Sequence, residues 1–156
     1  MANSLVSTIG RATLVSGTLD LISAFVFSGM KDVGPMRVLR SVASGPFGDG
    51  MRDGGASAAL IGLLTHFTIM TVMVSVYMLA AQRIEWIRRN WLIAGIGYGF
   101  VLYCVMYRVV LALRYPEVFP KNGLWDVSNA LFSHIVCVGI PMAWIASKRL
   151  GGSFQS

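Results

Sequence analysis

Two histidines, one aspartate and one tyrosine stand where polar chemistry is expensive. His66 interrupts "GLLTHFTIM", His134 interrupts "ALFSHIVCV", Asp20 breaks "SGTLDLISAF", and Tyr103 closes "GYGFVLY". The neighbours of each are soluble in hydrocarbon, so each polar group needs a partner, a proton or water. Imidazole and carboxylate in that setting support three kinds of chemistry. They can hydrogen-bond between helices and fix helix register. They can mark a proton, ion or small-solute path. They can ligate, with His66 and His134 as the axial pair of a b-type haem, or with Asp20 added as a three-ligand divalent metal site. No haem-attachment motif, no i,i+4 ligand pair and no repeated or broken-helix transporter half accompanies them.

The elements that position these groups follow from composition. The chain has 156 residues, 55% of them hydrophobic and 13% charged, with a mean hydropathy of +0.66. A helical span takes roughly 20 mostly apolar residues, and four fit, at about 11–30, 57–80, 91–113 and 125–147. The expected fold is an all-α integral membrane four-helix bundle in a single transmembrane domain covering 1–156. With these bounds Asp20 lies ten residues from Met30, His66 nine from Ser57, His134 nine from Trp125 and Tyr103 ten from Leu113. At about 1.5 Å per residue, all four sit roughly 14 Å below one membrane face. Every span thus gives one polar group to one layer: Asp20, His66, Tyr103 and His134. An unpaired aspartate there costs about 2.5 to 3.5 kcal/mol on insertion scales. Asp20 is therefore expected to be protonated, hydrated or paired with His66 or His134.

Helix one carries Thr13, Ser16, Gly17, Asp20, Ser23 and Ala24 at three- and four-residue intervals, a stripe suited to close helix packing. In the loop 31–56, Pro35 opens an amphipathic segment, 35–44, expected to lie as a short helix in the interface. Met36, Leu39 and Ala43 fall on one side of it, and Arg37, Arg40 and Ser44 on the other. "GPFGDGMRDGG" then reads as a glycine-rich connector. Gly95 and Gly99 form a small-xxx-small pair whose face continues to Tyr103 and Tyr107. Pro141 predicts a weakened ladder and a kink in the fourth span. Asn129 and Ser133 form a polar stripe towards His134, with Asp126 as the expected helix cap, and Arg108 is expected to snorkel.

Arg83, Trp86, Arg88, Arg89 and Trp91, with Trp144, form an interfacial belt, and Trp125 anchors the opposite face. The net charge of +6 belongs to these flanks, so the expected partner is membrane lipid and nucleic acid is rejected. Cys104 and Cys137 lie inside spans with no CxxC. The absence of GxSxG and HExxH leaves no catalytic residues to name, and the chain reads as no enzyme. The arginines of the short second loop orient both termini towards the cytoplasm.

The histidine of "GLLTHFTIM", the glycine-rich "WLIAGIGYGFVLYCVMY", the loop "RYPEVFP" and the fourth span "LWDVSNALFSHIV" resemble the YagU-like bacterial inner-membrane proteins over residues 57–147. His66 and His134 are the matching positions, and the glycine loop departs from that pattern. The resemblance implies a bacterial inner-membrane protein. The functional expectation is a structural or assembly subunit of a membrane complex or a homo-oligomer. The alternative is a proton, ion or small-solute pathway protein, or a haem- or metal-binding one using His66 and His134.

Overall fold

The computed structural model describes residues 2–150, with side chains from Leu5 onward. It is all-α, and no strand occurs among the described residues. Six helices follow one another: α1 (Ala2–Gly29), α2 (Pro35–Phe47), α3 (Ala56–Arg83), α4 (Glu85–Arg89), α5 (Trp91–Arg114) and α6 (Leu124–Leu150). α1, α3, α5 and α6 are long and apolar enough to cross a membrane, which is compatible with a multi-pass membrane protein. α6 has 44% of its apolar window buried against 17% for α5, so α6 is the packing axis and α5 the most peripheral helix. α1 packs on α3 and α6, α5 packs on α6, and the last turns of α6 meet α3 and α4.

Small residues set these approaches. A Cβ on Gly99 would lie 2.5 Å from the His134 carbonyl oxygen, and one on Gly95 would lie 2.8 Å from that of Gly139. Gly139 answers from α6, where an added Cβ would collide with the Gly95 carbonyl. The two backbones therefore touch directly, as the Gly95/Gly99 spacing predicted. Elsewhere in the core, Ala12, Ala81 and Ala146 open space that Met78, Met142, Val74 and Val138 fill, all of them at most 1% exposed. Methionine suits such gaps because its thioether chain adapts to them. This dry core occupies the half of the bundle near the termini.

Three sequence expectations need correction. α1 begins at Ala2 rather than near residue 11; Arg11 is exposed on the helix flank and does not bound it, because Thr8 and Ala12 bury completely beside it. The amphipathic segment extends to Phe47 and is followed by a 3-10 turn at Asp49–Asp53, so the glycine connector is largely helical. Gly48, at φ +92°, closes α2 and returns its N–H to the Ser44 carbonyl; that backbone conformation favours glycine. α2 also packs on the first turns of α3 rather than lying alone in the interface. The Leu39 carbonyl rests where Gly62 has no side chain. Ala43 and Ser44 are both fully buried, so the predicted polar side of α2 holds only in part.

Pro141 has a neighbour the sequence did not announce. Residues Ser133–Gly139 of α6 form a π-helical stretch, and Cys104–Val110 of α5 form another. A π stretch shifts the hydrogen bonds from i→i+4 to i→i+5, and such irregularities recur at functional sites. In α6 it runs up to the proline, so the irregular backbone precedes the position that lacks an N–H.

Arg114, the last residue of α5, ties loop one to the bundle. Its Nε donates to the Gly45 carbonyl at 2.9 Å and its Nη2 to the Ser44 carbonyl at 3.0 Å and to Asp49 Oδ1 at 3.3 Å. The carbonyls belong to the last turn of α2, where a cation suits the helix dipole. Arg114 and Arg52 lie against the Tyr115 ring at 4.5 and 4.8 Å, and the Tyr115 hydroxyl meets Ser44 Oγ at 2.7 Å. Arg114→Met should lower stability by about 1.5 to 3 kcal/mol and expose residues 45–55 to protease. Thermal unfolding in detergent, followed by mapping of the first proteolytic cut, checks this.

Candidate functional site

The four residues of the expected layer separate into two groups. His66 and Gly17 form the first. Gly17 faces α3 so closely that an added Cβ would lie 2.8 Å from Phe67. The bare backbone there leaves the Gly17 carbonyl within 2.9 Å of His66 Nε2. A carbonyl only accepts, so Nε2–H donates and the ring proton on that nitrogen is fixed. His66 thus locks α3 to α1. It hydrogen-bonds this carbonyl rather than Asp20. One interhelical bond of this kind contributes roughly 0.6 to 1.7 kcal/mol in a membrane. His66→Ala should cost that amount in thermal unfolding and leave the layer around Asp20 intact.

The second group joins α1, α5 and α6. His134 Nδ1 donates to the Ala130 carbonyl of its own helix at 2.9 Å, and its ring meets Tyr107 edge-on with centroids 5.6 Å apart. Tyr107 stacks on Tyr103 at 5.5 Å. Arg108 Nη2 lies 3.4 Å from the Tyr103 hydroxyl, while its Nη1 donates to Asn122 Oδ1 at 2.8 Å. Arg108 therefore reaches back to loop three, as a snorkelling side chain does. Ser23 and Ser133 share a hydrogen bond of 2.5 Å across α1 and α6. Two turns nearer the termini, Ser16 Oγ donates to the Val138 carbonyl at 3.3 Å.

Asp20 stands among these groups, within electrostatic reach of Tyr107, His134 and Cys137. It is half-buried and makes no hydrogen bond or ion pair with any described residue. Nine residues separate it from Gly29 at the end of α1, which places it roughly 14 Å along the helix from that face. The pairing expected with His66 or His134 is not made, because each imidazole N–H is taken by a backbone carbonyl. Nor do Asp20, His66 and His134 converge as a metal triad: among the described residues no three His, Cys, Asp or Glu side chains are grouped to hold an ion. The imidazoles face different helix interfaces, His66 towards α1 and His134 towards Tyr107 of α5, so the axial pairing for haem is likewise not assembled.

From Asp20 a polar line leads to the face bearing loops one and three. Ser23 and Ser133 come first, then half-buried Asn129, then Asp126. Asp126 does not cap its helix. It accepts from Lys31 Nζ at 2.7 Å, bridging the end of α1 to the start of α6. Towards the termini the stripe continues as Ser16, Thr13 and Thr8, at 0, 6 and 0% exposure, inside the close-packed core. Tyr107, which shares the Gly95/Gly99 face, joins the site through His134. No family model, curated protein or solved structure matches the chain.

The belt residues separate by role. Arg88 donates to the Ala81 and Gln82 carbonyls, covering acceptors at the end of α3. Arg89 pairs with Glu85 at 2.9 Å within α4. Trp91 packs on the core, Trp86 and Trp144 are exposed, and Trp125 meets Phe27 edge-on at the opposite end. Arg83 is exposed and has no described partner.

Proposed function

We propose that the protein is a non-enzymatic bacterial inner-membrane protein, with both termini cytoplasmic, that carries protons through an intramembrane stop at Asp20. The single observation that carries this reading is a mid-membrane carboxylate with no hydrogen bond or salt bridge to any described residue, near a His134 whose N–H is already taken by the Ala130 carbonyl. Intramembrane ionisable residues commonly mark proton routes. Hydroxyls and imidazoles relay protons, whereas a bare metal cation needs more oxygen ligands than surround Asp20. The polar line Asp126, Asn129, Ser133 and Ser23 supplies access from the loop-one and loop-three face. The packed Ser16, Thr13 and Thr8 stripe is the closed half, which has to loosen for a proton to continue. The resemblance of residues 57–147 to YagU-like proteins supports the membrane assignment and adds no activity.

Access is tested by placing a cysteine at Asp20 with Cys104 and Cys137 changed to serine. A membrane-impermeant, charged thiol reagent should label it from the loop-one and loop-three face only. Labelling from neither face would remove the path.

A second reading has its own observation. Leu14, Val15, Thr18 and Leu19 line a shallow, outward-facing depression of about 360 Å³ on α1, next to Asp20 along the chain. A helix of another subunit seated there would make the protein an assembly subunit or a homo-oligomer. Thr18→Leu would then shift the oligomeric state in detergent.

A further inference from the structure

The groove between α3 and α5 has chemistry that the Asp20 site does not use. It encloses about 400 Å³ and is lined by Val76, Tyr77 and Ala80 of α3, Trp86 and Ile87 of α4, and Ala94, Gly97, Tyr98 and Val101 of α5, among others. Tyr98 contacts bridge the two long helices here. Tyr98 donates to the Met73 carbonyl at 2.8 Å, and its ring lies 5.1 Å from that of Tyr77. Small residues, Ala80, Ala94 and Gly97, are part of its lining, and Val76 and Val101 beside them are 54% and 50% exposed. Such a slot is preformed, apolar and open on its lipid side.

Its mouth is cationic. Residues 76, 80 and 83 fall on one face of α3, so Arg83 stands one turn beyond Ala80 at the end of the groove. Arg88 and Arg89 are spent on the carbonyls of α3 and on Glu85, which leaves Arg83 as the exposed cation of this loop without a described partner. Trp86, 56% exposed, lines the same end and presents an indole N–H at headgroup level.

We propose that this groove holds one anionic phospholipid, its acyl chain lying over Ala80, Ala94 and Gly97 and its phosphate on Arg83 and Trp86. An acyl chain is the occupant that fits. The slot holds about 400 Å³ and is almost purely apolar, which suits a flexible chain better than a helix that is about 10 to 12 Å wide with its side chains. The arginine at the mouth selects the headgroup charge, because a cation near the surface favours anionic lipid.

Two variants separate the elements of the site. Gly97→Leu fills the slot, and nothing lies within 4 Å of an added Cβ there, so the bundle keeps its fold. Arg83→Gln removes the cation alone. The purified protein is titrated with phosphatidylglycerol and with phosphatidylcholine, and bound lipid and oligomeric state are read by native mass spectrometry. Retention of one phosphatidylglycerol per chain is expected, preferred over phosphatidylcholine by about fivefold. Arg83→Gln should abolish the preference and Gly97→Leu should abolish retention. Equal retention of both lipids, or retention unchanged in Gly97→Leu, overturns the proposal. So does a dimer that Gly97→Leu dissolves, because a second copy would then fill the groove.

Discussion

Asp20→Asn is expected to abolish proton movement through the protein and to leave the bundle at least as stable as before. Removing a carboxylate normally costs stability when that carboxylate is paired, because its partner is left buried and unsatisfied. Here no described residue donates to Asp20, so no partner is orphaned. The amide keeps the shape, and the expense of an ionisable group at midplane is reduced by up to about 2 kcal/mol. A register-fixing role predicts the opposite sign, since the variant would then loosen α1 from α5 and α6. Thermal unfolding in one detergent, with proton movement measured on the same preparation, separates the two. A gain or no change in stability with loss of activity is the signature of a group kept for function.

Gly139→Leu is expected to be strongly destabilising. Any Cβ at this position would collide with the Gly95 carbonyl and lie 3.1 Å from the Gly99 backbone. Neither neighbour is a side chain that can rotate away, so α5 has to leave α6. Overpacking typically costs about 1 to 3 kcal/mol when side chains can adjust, and the cost here should exceed that range. The consequences reach the site, because the same separation withdraws Tyr103 and Tyr107 from His134. Gly97→Leu, two residues from Gly99 and facing outward, is the matched control and should be almost neutral. Expression in membranes and the unfolding midpoint of both variants check the pair; equal behaviour would show that the glycine contact is not what holds α5.

Much of this architecture is legible in the sequence, and the parts that are not have physical reasons. The spans are visible because a bilayer demands long apolar runs, and the bounds of α3, α5 and α6 fall within a few residues of expectation. α1 was cut short because Arg11 reads as a flank, although a helix surface tolerates a long cationic side chain that reaches outward. Gly95 and Gly99 announce themselves by spacing. Their counterpart Gly139 has Ala143 at the same four-residue spacing in the fourth span, a small-xxx-small pair that the sequence expectation did not use.

Asp20, His66 and His134 are legible as polar groups inside apolar spans, and their partners are not. His66 and His134 bond backbone carbonyls, which every residue carries, so no sequence pattern distinguishes Gly17 or Ala130 as the acceptor. The π-helical stretches are equally silent. They insert an extra residue per turn and rotate the downstream face, and it is Tyr107 rather than Tyr103 that meets His134. Asp126 looked like a cap because of its place in the first turn, yet Lys31, ninety-five residues away, claims its carboxylate. Long-range pairings of this kind are fixed by how the helices assemble.

The most direct test of the account is proton movement into sealed vesicles loaded with a pH-sensitive dye and held under an imposed membrane potential. The wild-type protein and Asp20→Asn are compared, each reconstituted at the same density. The account predicts acidification with the wild type and the rate of empty vesicles with Asp20→Asn. A wild type no faster than empty vesicles, or an Asp20→Asn variant as fast as the wild type, would contradict it.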